Sequence, residues 1–335
     1  MENIKVSVII PVYNAGENLK KCINSLMSQT LKEIELIFVL DCPTDGSDIY
    51  IKTIAKQVDR ITYIENSTNQ HIGNSRNLGI SIARGEYIGF CDHDDVCEKN
   101  MFELLYNNAR LNLADISMGV PKYIYETSGI EEEYYYPTLD SSELQNIMTK
   151  MIVGGLSSDS PKYQFYKSHG VIWDKIYRKD FITENNIRFV DTNQCTYEDN
   201  LFLLESILKC RKLCALNKII YNHIIEIGNS ASTYNYSEYT KVKNYIETLA
   251  NILKTNNIFQ SLENRFYNSI VSYTIFSLSL EYRHNRVKLL QHIFSPNKYT
   301  KEAFKSITVK QLLAISQSKF GKMMSIMTKV LYSIF

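Results

Sequence analysis

KVSVIIPV (residues 5–12) and IELIFVL (34–40) are nearly continuous apolar runs, as strands buried on both faces of a sheet should be. Two shorter runs, ITYI (61–64) and YIGFC (87–91), follow in the same register of chain length. Between them the spacing turns helical. Leu19, Cys22, Ile23, Leu26 and Met27 fall at i, i+3, i+4, i+7 and i+8, one apolar stripe of a helix. A second helix is expected over residues 74–84, ending at Gly85, which suits a left-handed position just past a helix. Strand, helix, strand, helix in this order predicts an α/β fold with a doubly wound parallel sheet and right-handed crossovers. In such sheets the ligand crevice lies beyond the carboxyl ends of the strands. The residues there are Pro11-Val12-Tyr13-Asn14, Asp41, the segment 69–76, and Asp92-His93-Asp94-Asp95.

Composition agrees with a globular chain and narrows its partners. The 335 residues amount to about two domain-sized units. With 37 Lys+Arg against 36 Asp+Glu the formal charge is +1, which provides no basic field for nucleic acid. Seven cysteines without a CxxC pair predict reduced thiols in a cytoplasmic protein. No signal-peptide pattern opens the sequence, and no stretch approaches the ~20 apolar residues of a membrane span. From about residue 115 the pattern loosens. Tyr123, Tyr125, Tyr134, Tyr135 and Tyr136, then a Gly/Ser segment at 154–160, suggest loops and short edge strands. A helix is expected over 198–210, a strand over 216–225, and helices from about 237 onward.

Asp92 and Asp94, two residues apart on a turn, can face one hard cation, and Mg²⁺ or Mn²⁺ typically takes one or two carboxylates and completes its shell with phosphate oxygens and water. Three aspartates in four residues repel one another unless a cation compensates. The bland alternative is an acidic turn capping a helix that begins near Glu98. His93 is expected to be a loop histidine turned away from the cation. In NQHIGNSRNLG (69–79), Gly73 and Gly79 allow close backbone approach and Arg76 offers a fork of donors suited to phosphate. Glu198-Asp199 at the head of an apolar helix reads either as a complement to the helix dipole or as a general base.

Taken together, SVIIPVYN (7–14), the carboxylate Asp41 followed by TDGS (44–47), the NxxIGNSRNLGI segment (69–80), ARGEYIGF with DHDD (83–95), the run WDKIYR (173–178) and the Glu198-Asp199 pair resemble a family 2 glycosyltransferase. The resemblance spans roughly residues 5–200. It implies a GT-A fold, a Rossmann-like doubly wound and mostly parallel sheet with a helical C-terminal extension. It also implies an inverting enzyme that moves a sugar from a nucleotide-sugar donor, UDP being the best guess, to a glycan or lipid-linked oligosaccharide acceptor. On this reading residues 1–115 form the nucleotide-sugar-binding half of the GT-A domain, 116–235 the acceptor-binding half, and 236–335 a helical region for membrane or oligomer contact. Pro11, Tyr13, Asn14 and Glu17 match the segment bordering the nucleotide, and Asp41 the carboxylate at uracil or ribose. Gly73 and Arg76 match positions near the base and diphosphate. Asp92 and Asp94 match the carboxylates holding the ribose and a Mn²⁺ or Mg²⁺ ion, and Asp199 matches the general base. Trp173, Lys175, Glu198 and His223 fall where the acceptor or diphosphate is met.

Two stretches depart from the family pattern. The usual Asp-Asp-Gly-Ser after strand two is Leu40-Asp41-Cys42-Pro43, and the later stretch keeps Tyr221, His223 and Ser230-Ala231-Ser232 but lacks the usual Arg. At the C-terminus, apolar residues between 319 and 335 form a helical stripe beside Lys319, Lys322 and Lys329, which suits a membrane interface or packing on its own domain. A sugar-phosphate nucleotidyltransferase and a catalytically degenerate nucleotide-binding scaffold are the other functions the fold permits.

Overall fold

The computed structural model describes residues 3–133, 139–154, 171–225, 238–284, 295–309, 326, 328 and 329. The chain divides into two compact units, one of residues 1–148, 162–192 and 198–229, the other of residues 149–161, 193–197 and 230–335. The first is built on one sheet. In chain order its elements begin β1 (Val6–Val12), α1 (Asn18–Met27), β2 (Ile34–Leu40), α2 (Ser47–Ala55), β3 (Ile61–Glu65), α3 (His71–Ile82) and β4 (Tyr87–Phe90). Every residue of β1, β2 and β4 is buried, whereas β3, at the sheet's edge, hides only part of itself. β1 pairs in parallel with β2 on one side, Val6 opposite Ile34, and with β4 on the other, Val6 opposite Tyr87. The sheet order β3-β2-β1-β4 therefore reverses direction at β1, and a crevice opens there beyond the strands' carboxyl ends.

The rest of the unit extends the same sheet. After β5 (Val96–Cys97) and α4 (Met101–Asn112) come β6 (Ile116–Tyr125), β7 (Ile130–Glu133), α5 (Ser141–Gly154), β8 (Lys175–Arg178), α6 (Lys179–Glu184), α7 (Glu198–Lys209) and β9 (Leu213–Ile225). β8 pairs antiparallel with both β4 and β6, and β6 runs parallel to β9, so parallel pairing holds for β3-β2-β1-β4 and for β6–β9. The strands before and after residue 115 therefore belong to one continuous sheet. The second unit contributes α8 (Glu238–Thr255), α9 (Phe259–His284) and α10 (Lys298–Ser306).

Several local expectations change. α3 starts at His71 and ends at Ile82, and Ala83 after it is extended, so Gly85 is no left-handed cap. A Cβ at Gly85 would lie 2.5 Å from the Ser7 backbone nitrogen, and that close strand approach is what requires glycine. The helix after the acidic turn begins at Met101, not near Glu98, because Val96–Cys97 first pairs with β9. All seven cysteines are free thiols, and Cys22, Cys91 and Cys97 touch behind the acidic turn with Sγ separations of 3.7 Å from Cys91 to each neighbour. Tyr134 to Tyr136, most of the Gly/Ser segment, Ser230-Ala231-Ser232 and nearly all of the 319–335 stripe lie outside the described residues. Lys329 is described, and its Nζ donates to the carbonyls of Phe304 at 2.9 Å and Ile307 at 2.7 Å, capping the end of α10.

Candidate active site

The turn after β4 sorts its carboxylates by what they touch. Asp95 is fully buried and accepts hydrogen bonds from Tyr221 Oη at 2.9 Å and Ile224 N at 2.8 Å, with His223 Nδ1 at 3.0 Å. Burial pushes its pKa up, and the hydrogen bond and charge of His223 pull the other way. Asp95 thus fastens the turn to β9. The sequence reading passed over it as a site residue, although it was the third carboxylate of the turn. Asp94 is raised by burial first and then by the charges of Asp95 and Asp92, with His93 opposing. His93 turns its Nδ1 to the Pro11 carbonyl at 3.1 Å, so the turn is also tied to the end of β1.

Asp92 meets α3 and α7 through Arg76. Arg76 is only 3% exposed, its NH2 lies 3.0 Å from Asp92 Oδ1, and its NH1 lies 2.9 Å from Glu198 Oε1. The guanidinium sits over the Phe189 ring at 5.3 Å, and its Nε has no hydrogen-bond partner among the described residues. Asp199, next to Glu198 in the first turn of α7, accepts from Asn200 N at 2.8 Å. Burial is the largest cause pushing its carboxyl up to about 7, the Glu198 charge adds to it, and Arg76 opposes. A carboxylate held near neutrality beside a cleft has the acidity expected of a general base.

The other expected site residues divide. Tyr13 is half exposed, and Asn14 adopts φ 48° and accepts from Thr44 N at 2.7 Å, so both stay on the rim beyond β1. Asp45 joins the same loops by accepting from Gly16 N at 2.8 Å, a contact the sequence alone does not give. Cys42 keeps a left-handed backbone, φ 57°, where the family pattern has glycine. Asp41 is nearly covered, its Oδ1 accepting from Gln70 N and Asn66 Nδ2 at 2.7 Å each, so it anchors the loop before α3. Three of the expected residues are engaged as follows. Glu17 points outward, 88% exposed, with Lys20 at 2.9 Å. Lys175 is fully buried, donating to the Val171 carbonyl at 2.8 Å and paired with Asp174, and meets no phosphate there. Trp173, 5% exposed, stacks on Tyr221 at 4.3 Å and on His223 at 5.2 Å, which makes it a packing anchor rather than an open sugar platform. Gly73 is required by the loop before α7: a Cβ there would lie 2.4 Å from the Val190 carbonyl oxygen. His223 gives its Nδ1 to Asp95, and although burial opposes its charge, Asp95 raises its pKa.

The oxygen donors Asp92 and Asp94 fit Mg²⁺ or Mn²⁺ by chemistry. Among the described residues no three His, Cys, Asp or Glu side chains are grouped to hold a metal ion.

A family model described as glycosyl transferase family 2 matches residues 7–159. The chain is 28% identical over 270 residues to the cholesterol galactosyltransferase of Borreliella burgdorferi, covering 78% of this chain and 71% of that protein. It is 28% identical over 266 residues to the poly(ribitol-phosphate) beta-N-acetylglucosaminyltransferase TarP of Staphylococcus aureus, covering 75% and 71%. Among solved structures, residues 1–349 of S. aureus TarS in complex with UDP-GlcNAc align with a TM-score of 0.62 over 98% of this chain and 90% of that one, at 17% identity, a likeness of fold.

Proposed function

The chain is a family 2 glycosyltransferase with a GT-A fold, and from that premise we propose that it is an inverting, Mn²⁺- or Mg²⁺-dependent enzyme moving a hexosyl or N-acetylhexosaminyl group from a UDP-sugar to a hydroxyl of a growing, lipid-linked or polymeric glycan. The observation that carries this reading is Asp199, held at about 7 in the constellation that Arg76 joins to Asp92. Asp199 takes the proton of the acceptor hydroxyl as its oxygen attacks the anomeric carbon. The bond from that carbon to the diphosphate breaks on the opposite face, its electrons leave with the phosphate oxygen, and the anomeric configuration inverts. Asp92 and Asp94 would hold the divalent cation, which when bound neutralises the leaving diphosphate. Names of relatives support a sugar nucleotide as donor and a glycan or lipid hydroxyl as acceptor. Seven free thiols suit the reducing cytoplasmic side, and no helix among the described residues is long and apolar enough to cross a membrane.

The test is a panel of UDP-, GDP-, dTDP- and CDP-sugars with Mn²⁺, Mg²⁺ or EDTA, scored for binding and for transfer to glycan and lipid-linked acceptors, with the product anomer read by NMR. A UDP-sugar with metal-dependent transfer and inverted product supports the proposal. Retained configuration, or full activity in EDTA, overturns the corresponding half of it.

A further inference from the structure

Arg76 is only 3% exposed, and each of its terminal nitrogens is held by a carboxylate. Its two terminal nitrogens join a carboxylate of the turn after β4 to one that opens α7, positions 16 and 122 residues away along the chain. The apolar bed beneath it comes from the same places. Phe189, under the guanidinium, stacks on Phe202 of α7 at 4.0 Å with an interplanar angle of 1° and meets Phe90 of β4 edge-on at 5.3 Å. One planar side chain is thus fixed from below by rings of two elements while it grips carboxylates belonging to the same two.

We propose that Arg76 is a positioning residue: its fork sets Asp92 and Glu198 at a fixed separation, and so places the base Asp199 relative to the carboxylates that would hold the cation for the donor diphosphate. This rests on the glycosyl-transfer reading above. Arginine is the residue for this task because its rigid guanidinium binds two carboxylates at once in a set geometry, whereas a lysine offers one compact charge with freely rotating protons. A buried ion pair does little for net stability, but removing one partner strands the other charge. Three carboxylates, Asp92, Glu198 and Asp199, act on this one cation, so both halves of the site depend on it.

The experiment uses the full chain with Arg76→Lys, Glu198→Gln and the double variant. The readouts are calorimetric UDP affinity with Mn²⁺, kcat and KM for transfer, and thermal unfolding. Arg76→Lys is expected to fold, to weaken Mn²⁺-dependent UDP binding and to lower kcat, each by about ten- to hundredfold, the range for groups that orient ligands without touching substrate. Glu198→Gln cuts the fork from the far end and is expected to weaken UDP binding too, although Glu198 belongs to the base pair. The double variant should be little worse than Arg76→Lys, because both cut one connection. Wild-type UDP affinity in Glu198→Gln overturns the proposal, as does a double variant whose losses simply add. Should Arg76→Lys fail to fold, Glu198→Gln decides alone. If the wild-type chain binds UDP but transfers nothing, the transfer reading fails while the binding arm still judges the fork.

Discussion

Replacing Asp199 by Asn gives opposite outcomes for stability and for catalysis. The carboxyl is pushed from an ordinary 3.8 up to about 7, chiefly by burial. A shift of about three units at ~1.4 kcal/mol each sets a ceiling of about 4 kcal/mol on what ionising it costs the folded chain. The side chain is only partly buried, and solvent screening at the mouth reduces that to about 1–2 kcal/mol. The sign follows from linkage. Below the unfolded pKa both states hold the proton and no penalty exists. As pH rises toward 7 the unfolded chain ionises first, stability falls, and above the folded pKa the penalty is complete. Asp199→Asn removes it. The variant should melt a few degrees above wild type at pH 8, with the advantage shrinking toward nothing near pH 4. Its turnover should fall by about 10²–10⁴, and wild-type turnover should rise with pH through about 7. Scanning calorimetry of both proteins between pH 4 and 8.5, with transfer assays on the same samples, reads all of this. A melting difference that ignores pH, or an Asn variant that still turns over, refutes the assignment of a desolvated base.

Three other changes separate roles that look alike in the sequence. Asp94→Ala should abolish Mn²⁺-dependent UDP binding and transfer while leaving the melting temperature unchanged or higher, since burial and two neighbouring carboxylates raise its pKa; a metal response equal to wild type in titration calorimetry would remove it from the cation site. Lys175→Met should cost about 3–5 kcal/mol in urea unfolding by removing the cation beside the buried Asp174, and much less when paired with Asp174→Leu. UDP affinity of the folded Lys175→Met fraction should not change, and a specific loss would return Lys175 to the phosphate. Gly73→Ala drives a methyl to 2.4 Å from the Val190 carbonyl oxygen, so it should destabilise by about 1–3 kcal/mol and displace the loop leading to Glu198, lowering kcat more than UDP affinity.

The strands and the acidic turn were legible because their signals are local. A seven-residue apolar run such as 34–40 has few uses besides a strand buried on both faces, and aspartates clustered where such a strand ends mark the rim of the crevice. What the sequence hid depends on closure over long separations. Nothing near Arg76 says that its partners are Asp92 and Glu198, the second of them 122 residues away. The same holds for Lys175, whose charge reads as a surface group until β8 is seen between β4 and β6 with Asp174 beside it. Nothing local shows how Trp173 packs, because its neighbours in space, Tyr221 and His223, come from a strand some fifty positions later. Gly73 is a glycine for the close backbone approach its segment suggests, whereas Gly85, expected as a left-handed cap, has no positive φ and is a glycine because the Ser7 backbone passes too close for a methyl.

The acidic turn shows why spacing alone misassigns carboxylates. By spacing, Asp92 and Asp94 face one cation, and Asp95 adds a third charge that repels them. By contact they differ: Asp95 is spent on Tyr221, His223 and the Ile224 amide, and one oxygen of Asp92 is spent on Arg76. Part of the repulsion expected among them is met by His223 of β9 and Arg76 of α3, while Asp95 and Asp92 still push Asp94 up. A cation therefore has less charge to neutralise than the raw count suggests, and it is better placed to share itself with a diphosphate. Such a site should bind metal weakly alone and firmly with nucleotide. Titrating Mn²⁺ with and without UDP measures that difference, and equal affinity in both would mean that the turn holds its own ion without a diphosphate.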